Sequence, residues 1–205
     1  MNKKEKAKLI EKKLNEYFPH PKVFLSHKDP YTLLIAVLLS AQSTDATVNK
    51  VTPSLFKKAS TPKKMISIGE KEIAKIIRPC GLYRKKAKAI VALSKKLLDK
   101  FDGKVPKDLK DLKTLPGIGH KSASVVVTQA FNKPAFPVDT HIHRLAKRWG
   151  LSNGKNVVQT EKDLKKVFAE KKWGKIHLQM IAFARKYCKA KAHKKEKCPI
   201  CKRLG

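Results

Sequence analysis

The sequence predicts an all-α fold, and three observations predict it. Apolar residues recur at helical spacing through most of the chain, strand-like alternation is almost absent, and cap or breaker residues fall where periodic stretches begin or stop. Leu9, Ile10, Leu14, Tyr17 and Phe18 lie behind a lysine-rich face and give an opening amphipathic helix, stopped by Pro19 and Pro21. Asp29 and Pro30 open a second segment, and residues 33–39 are apolar on every side, as in a helix at the centre of a bundle. A buried parallel strand is the alternative there. Ala87, Ile90, Val91, Leu97, Leu98 and Phe101 mark a long amphipathic helix, with Ser94 the one polar residue on the stripe and Leu93 beside it. A short helix follows from Leu109, Leu112 and Leu115, then come Val125, Val126 and Val127, and then Leu145 to Leu151. A further helix starts near Thr160, with Asp163 placed almost as in a capping box, and the last runs from about Trp173 to Tyr187. No Gly-Pro-Ser linker or internal repeat divides the chain, so a second domain must be packed closely or built from both termini.

Charge narrows the partners. The 205 residues carry 48 Lys and Arg against 16 Asp and Glu, a formal charge of +32. For a chain without a signal-like N-terminus, the commonest anion to meet such an excess is nucleic acid; anionic membrane surfaces, solubility and a lysine-biased composition compete. Only six of the 48 are arginine (Arg78, Arg84, Arg144, Arg148, Arg185, Arg203), which favours phosphate-backbone contact over base reading. A hydrophobic share of 41% argues against general disorder, and no apolar stretch is long enough to cross a bilayer, so secretion and membrane insertion are disfavoured.

The informative stretch is Leu115-Pro116-Gly117-Ile118-Gly119-His120-Lys121-Ser122-Ala123. Two glycines, two apart between helical patterns, let backbone amides approach a ligand closely, and such amides at a helix start suit a phosphate. Its plainer reading is a helix hairpin with a glycine cap. Downstream, Pro137-Val138-Asp139-Thr140-His141-Ile142-His143-Arg144 puts an acidic residue at a helix start, where Asp commonly serves as N-cap.

Together these motifs resemble the helix-hairpin-helix glycosylase superfamily, and more closely the endonuclease III family of bifunctional glycosylases for oxidised pyrimidines. Residues 33–45 resemble that family's N-terminal signature, Gly81-Leu82-Tyr83 its second loop and Val138-Asp139-Thr140-His141 its Asp motif. The resemblance implies a six-helix domain with the hairpin at residues 23–133. A second helical domain, from residues 1–22 and 134–205, would face it across a DNA-binding cleft.

It implies that Lys121 is the nucleophile, attacking the sugar C1′ and leaving a Schiff base through which the strand is cut by β-elimination, with Asp139 assisting proton transfer and stabilising positive charge on the sugar. A flipped nucleotide leaves a hole that Gln42 and Leu82 would fill. Gly117, Gly119, His120 and His141 would contact DNA. The implied partner is double-stranded DNA containing oxidised pyrimidines or abasic sites, met by a monomer in the cytoplasm at the nucleoid. Two other readings compete: a monofunctional adenine-mismatch glycosylase, which usually lacks the Lys and carries an extra domain, and a non-catalytic helix-hairpin-helix DNA-binding protein, which would tolerate losing Lys121 and Asp139 together.

The cysteines depart from the family pattern. The resemblance implies a [4Fe-4S] loop of four cysteines, whereas Cys188, Cys198 and Cys201 are spaced differently and a fourth is missing. Cys80 adjoins the second loop. The three thiols fit a cluster completed by a non-cysteine ligand such as His193, a zinc site, or no metal at all. The basic run 189–197 is a candidate DNA grip in each case.

Overall fold

The computed structural model describes residues 1–204, and among these every regular element is helical: eleven α-helices and two 3₁₀ turns, with no strand. The chain forms two compact units, one spanning Val23–Lys133 and the other combining Met1–Lys22 with the chain from Pro134 onward.

The first unit holds α2 (Pro30–Ser40), α3 (Asp45–Lys58), α4 (Pro62–Ile76), α5 (Tyr83–Phe101), α6 (Leu109–Lys113) and α7 (His120–Phe131). The stretch at 33–39 is helix, not strand, and its start explains why. Asp29 Oδ1 accepts from Thr32 N at 2.8 Å, Thr32 Oγ1 accepts from Asp29 N at 3.0 Å, and Pro30 occupies the first helical position. Every residue from Tyr31 to Leu39 is buried, with α3, α5 and α7 packed around α2. On α5 the buried face is Lys86, Ala87, Ile90, Leu93, Ser94 and Leu97, whereas Leu98, expected inside, is 39% exposed. Ser94 is accommodated because its hydroxyl donates to Ile90 O at 2.7 Å and accepts from the Tyr31 hydroxyl at 2.7 Å, leaving no polar atom stranded between α5 and α2. Helices α3 and α4 interrupt their own periodicity: Pro53 lies inside α3, and α4 is kinked at Gly69, with φ 73° and ψ 168°.

The second unit holds α1 (Lys3–Tyr17), α8 (Thr140–Arg148), α9 (Val157–Val167), α10 (Trp173–Lys186) and the single turn α11 (Cys201–Leu204). Helix α1 begins with a capping box between Asn2 and Glu5 and buries Ala7, Ile10 and Leu14. Its core centres on Phe183 of α10, whose ring meets Trp149 edge-on at 5.7 Å and lies 5.2 Å from Tyr187. The start expected near Thr160 is corrected to Val157. Asn156 is the cap, accepting from Gln159 N at 2.8 Å, while the Thr160 hydroxyl donates to Asn156 O at 3.0 Å from inside the helix. Asp163 accepts instead from Ser152 Oγ at 2.7 Å and Gln159 Nε2 at 2.8 Å.

Candidate functional site

In the Val23–Lys133 unit the hairpin connects α6 to α7. Gly117 sits at φ +79°, and a Cβ there would meet Leu38 Cδ1 at 3.0 Å and Ala89 Cβ at 3.2 Å, so conformation and packing both demand glycine. Gly119 differs: it is the N-cap of α7 with φ −89°, and a Cβ there would meet nothing within 4 Å. It offers no side-chain acceptor, so the orphan amides that open α7 stay available to an anion. His120 and Lys121 are the first two residues of α7 and both are exposed. The Lys121 side chain takes part in no hydrogen bond or ion pair among the described residues.

The two glycines therefore predict opposite outcomes. Gly117→Ala should lower stability by about 1–2 kcal/mol through left-handed strain alone. Gly119→Ala should leave the melting temperature within a degree or two while weakening DNA affinity. Thermal unfolding beside a binding titration separates them, and equal losses of stability would reject the distinction.

Gln42 and Leu82 are far apart in sequence, yet with Gly117 they line one pocket of about 220 Å³ whose remaining walls include Leu38, Lys86 and Ala89. Both residues occupy the left-handed region, Gln42 at φ 55° and Leu82 at φ 58°. Non-glycine residues rarely adopt it, and each such residue costs about 1–2 kcal/mol. Strain of this kind concentrates at working sites. Leu82 is moreover 52% exposed, an aliphatic side chain held out of the core. The sequence did not reveal what holds these loops. Lys86 Nζ, buried on α5, donates to Leu39 O at 2.9 Å and to Ser43 Oγ at 2.9 Å, clamping both sides of the Gln42 turn. Burial pulls its ammonium below the usual lysine range and pushes the neighbouring Cys80 thiol up. Lys86→Met would strand both acceptors and is expected to cost about 1–3 kcal/mol in denaturant unfolding. Its one sequence signal was phase: positions 86, 90, 93 and 97 form a single helical stripe.

In the other unit, Asp139 is the N-cap of α8, its Oδ1 accepting from Ile142 N at 2.8 Å. His141 Nδ1 accepts from Arg144 Nη2 at 3.2 Å; a guanidinium only donates, so the ring proton resides on Nε2. Arg144 and Arg148, not singled out from sequence, tie this helix to the cysteine loop. Arg144 Nη2 donates to Cys188 O at 3.1 Å, and Arg148 Nη1 donates to Cys188 Sγ at 3.3 Å and Lys189 O at 2.9 Å.

Cys188, Cys198 and Cys201 are buried, and with His193 their ligand atoms all lie within 4.8 Å of one another. An imidazole thus stands beside the three thiols. By residue type the set fits a [4Fe-4S] cluster with one non-cysteine ligand, and equally a single tetrahedral ion. Hydrogen bonds from Cys188 and Cys201 hold Cys198 far below the ordinary thiol range, whereas hydrogen bonds with Cys188 and Cys198 drive Cys201 above it. Cys80 belongs to the other unit and takes no part.

No helix among the described residues is long and apolar enough to cross a membrane. The family model described as HhH-GPD superfamily base excision DNA repair protein matches residues 35–170. Endonuclease III of Bacillus subtilis is 42% identical over 189 residues, 92% of this chain and 86% of that protein. Endonuclease III of Escherichia coli K12 is 40% identical over 201 residues, 98% of this chain and 93% of that protein. Among solved structures, a trapped endonuclease III–DNA covalent intermediate superposes with a TM-score of 0.93 at 42% identity, covering 98% of this chain and 94% of that one. A thermostable thymine-DNA glycosylase, at 24% identity and a TM-score of 0.86, shares the fold. The resemblance drawn from the hairpin, the Asp motif and the N-terminal signature is thereby borne out, and the chain belongs to the HhH-GPD superfamily of base excision DNA repair proteins and, within it, to the endonuclease III family.

Proposed function

We propose that Lys121 is the nucleophile of this enzyme. As an endonuclease III family member the chain is a base-excision repair enzyme, a DNA N-glycosylase with AP lyase activity. The observation that carries the assignment is Lys121 itself: exposed, unpaired among the described residues, and two positions beyond Gly119 on the first turn of α7. Its neutral amine attacks C1′ of a damaged nucleotide and the glycosidic bond breaks, its electron pair leaving with the base. The sugar ring opens to an imine. That imine acidifies the C2′ hydrogen, and loss of the proton expels the 3′ phosphate, cutting the strand. Asp139 takes and returns the protons and stabilises positive charge on the sugar. The relative trapped as a covalent intermediate with DNA is consistent with this chemistry.

The substrate is duplex DNA carrying an oxidised pyrimidine or an abasic site, bound by a monomer acting at the nucleoid, since one chain supplies every motif the reaction needs. Gly119 and the start of α7, with His120 and His141, take phosphate. Gln42 and Leu82, exposed in strained turns beside one pocket, fill the space of the flipped nucleotide. With lysine the dominant cation, phosphate contacts dominate affinity, and about six of them predict a roughly thousandfold loss between 50 and 200 mM salt. A titration that stays flat would reject the basic-surface account.

Borohydride reduction on a duplex with one thymine glycol or abasic site tests the assignment. The wild type should be trapped as a covalent adduct and Lys121→Gln should not. Tight binding without any adduct would move the assignment to a monofunctional glycosylase or a binding module.

A further inference from the structure

We propose that Cys188, His193, Cys198 and Cys201 hold a single tetrahedral zinc ion, a structural Cys₃His site in place of an iron–sulfur cluster. Spacing decides between the two. Cys188 Sγ and Cys201 Sγ are 3.8 Å apart, and no ligand atom of the four is more than 4.8 Å from another. Zinc binds thiolate at about 2.3 Å and imidazole at about 2.0–2.1 Å, and a tetrahedron with arms of about 2.3 Å has edges of about 3.8 Å. In a four-iron cluster each ligand holds its own iron, so the donors surround the whole cluster and stand wider than the shell of one ion.

Two further observations point to a ligand. His193 Nε2 is enclosed and has no hydrogen-bond partner among the described residues, an unmet group of the kind a metal satisfies. The sequence spacing is Cys-x₄-His-x₄-Cys-x₂-Cys, closing on the short Cys-x₂-Cys turn common in structural zinc sites. Arg148, donating to Cys188 Sγ, supplies the outer hydrogen bond such thiolates usually have. Zinc would therefore order residues 189–197, which carry five lysines, against α8, the helix that bears Asp139 and His141. This goes beyond the assignment of Lys121 and does not depend on it.

The test is metal and acid-labile sulfide content of the full-length chain, purified anaerobically from cells supplied with both zinc and iron, and again after incubation with iron and sulfide. We expect one zinc per chain, no stoichiometric sulfide and no visible iron–sulfur absorption under either condition. About four irons and four sulfides per chain, or a folded chain with no metal, overturns the proposal. Cobalt substitution reads the ligands directly. The wild type should show tetrahedral bands, His193→Cys should keep one metal with the bands shifted towards four-thiolate coordination, and His193→Ala should lose affinity by more than the about 10- to 100-fold typical of an outer-shell partner. Unchanged bands and affinity in both variants would remove His193 from the site.

Discussion

Lys121→Gln is expected to abolish base removal and strand cleavage together. The loss should exceed the roughly 10⁴-fold upper end for removing a proton-transfer group, because the atom proposed to form the bond is itself gone. Glutamine keeps nearly the same length and helix propensity at an exposed position, so stability should move by no more than about 0.5 kcal/mol. One cation among 48 is removed, so DNA affinity should fall only slightly. Single-turnover cleavage of a duplex with one thymine glycol, run beside a binding titration, reads all three quantities. A variant that still removes the base but no longer cuts would mean that water attacks C1′, leaving Lys121 as the lyase group alone. Full activity would remove Lys121 from the chemistry altogether.

How far the chain could be read in advance follows from how local each feature is. Helix α2 was readable because its cap, its Pro30 and its apolar residues are contiguous, and the strand alternative fell to the reciprocal bonds of Asp29 and Thr32. Helices α3 and α4 carry a weak sequence signal because Pro53 and Gly69, ordinary markers of helix ends, lie inside them. At α9 two caps competed. Asn156 wins because its side chain reaches Gln159 N, whereas Thr160 spends its hydroxyl on a carbonyl one turn back.

The candidate site positions divide in the same way. Gly117 to Lys121 and Asp139 to His141 are strings of neighbours, so their pattern is visible in order. Lys86 is not, since its partners Leu39 and Ser43 lie 47 and 43 residues away. Arg148 reaches 40 residues to Cys188. His193 is the non-cysteine residue offered to complete the three cysteines, and proximity in the folded chain is what brings it to them.

Asp139→Asn should separate the cap this carboxylate forms from the catalytic role proposed for it. As N-cap, Asp139 offers Oδ1 to Ile142 N at 2.8 Å, and asparagine caps about as well as aspartate, so α8 should start at the same residue with stability changed by a few tenths of a kcal/mol. What is lost is the charge and the ability to carry a proton. Base removal should slow by about 10²- to 10⁴-fold, or about 2.7–5.4 kcal/mol of barrier at about 1.36 kcal/mol per decade. Cleavage at a preformed abasic site should suffer less, because no base remains to be expelled. DNA affinity should hold or rise slightly, since a negative charge has been removed from a phosphate-binding protein. Asp139→Ala supplies the contrast: it loses cap and charge together, and the missing cap alone costs about 0.5–2 kcal/mol, visible in the melting temperature. If Asp139→Asn excises thymine glycol at the wild-type rate while Asp139→Ala merely melts earlier, Asp139 is a helix cap and nothing more, and the proton at Lys121 must leave by another route.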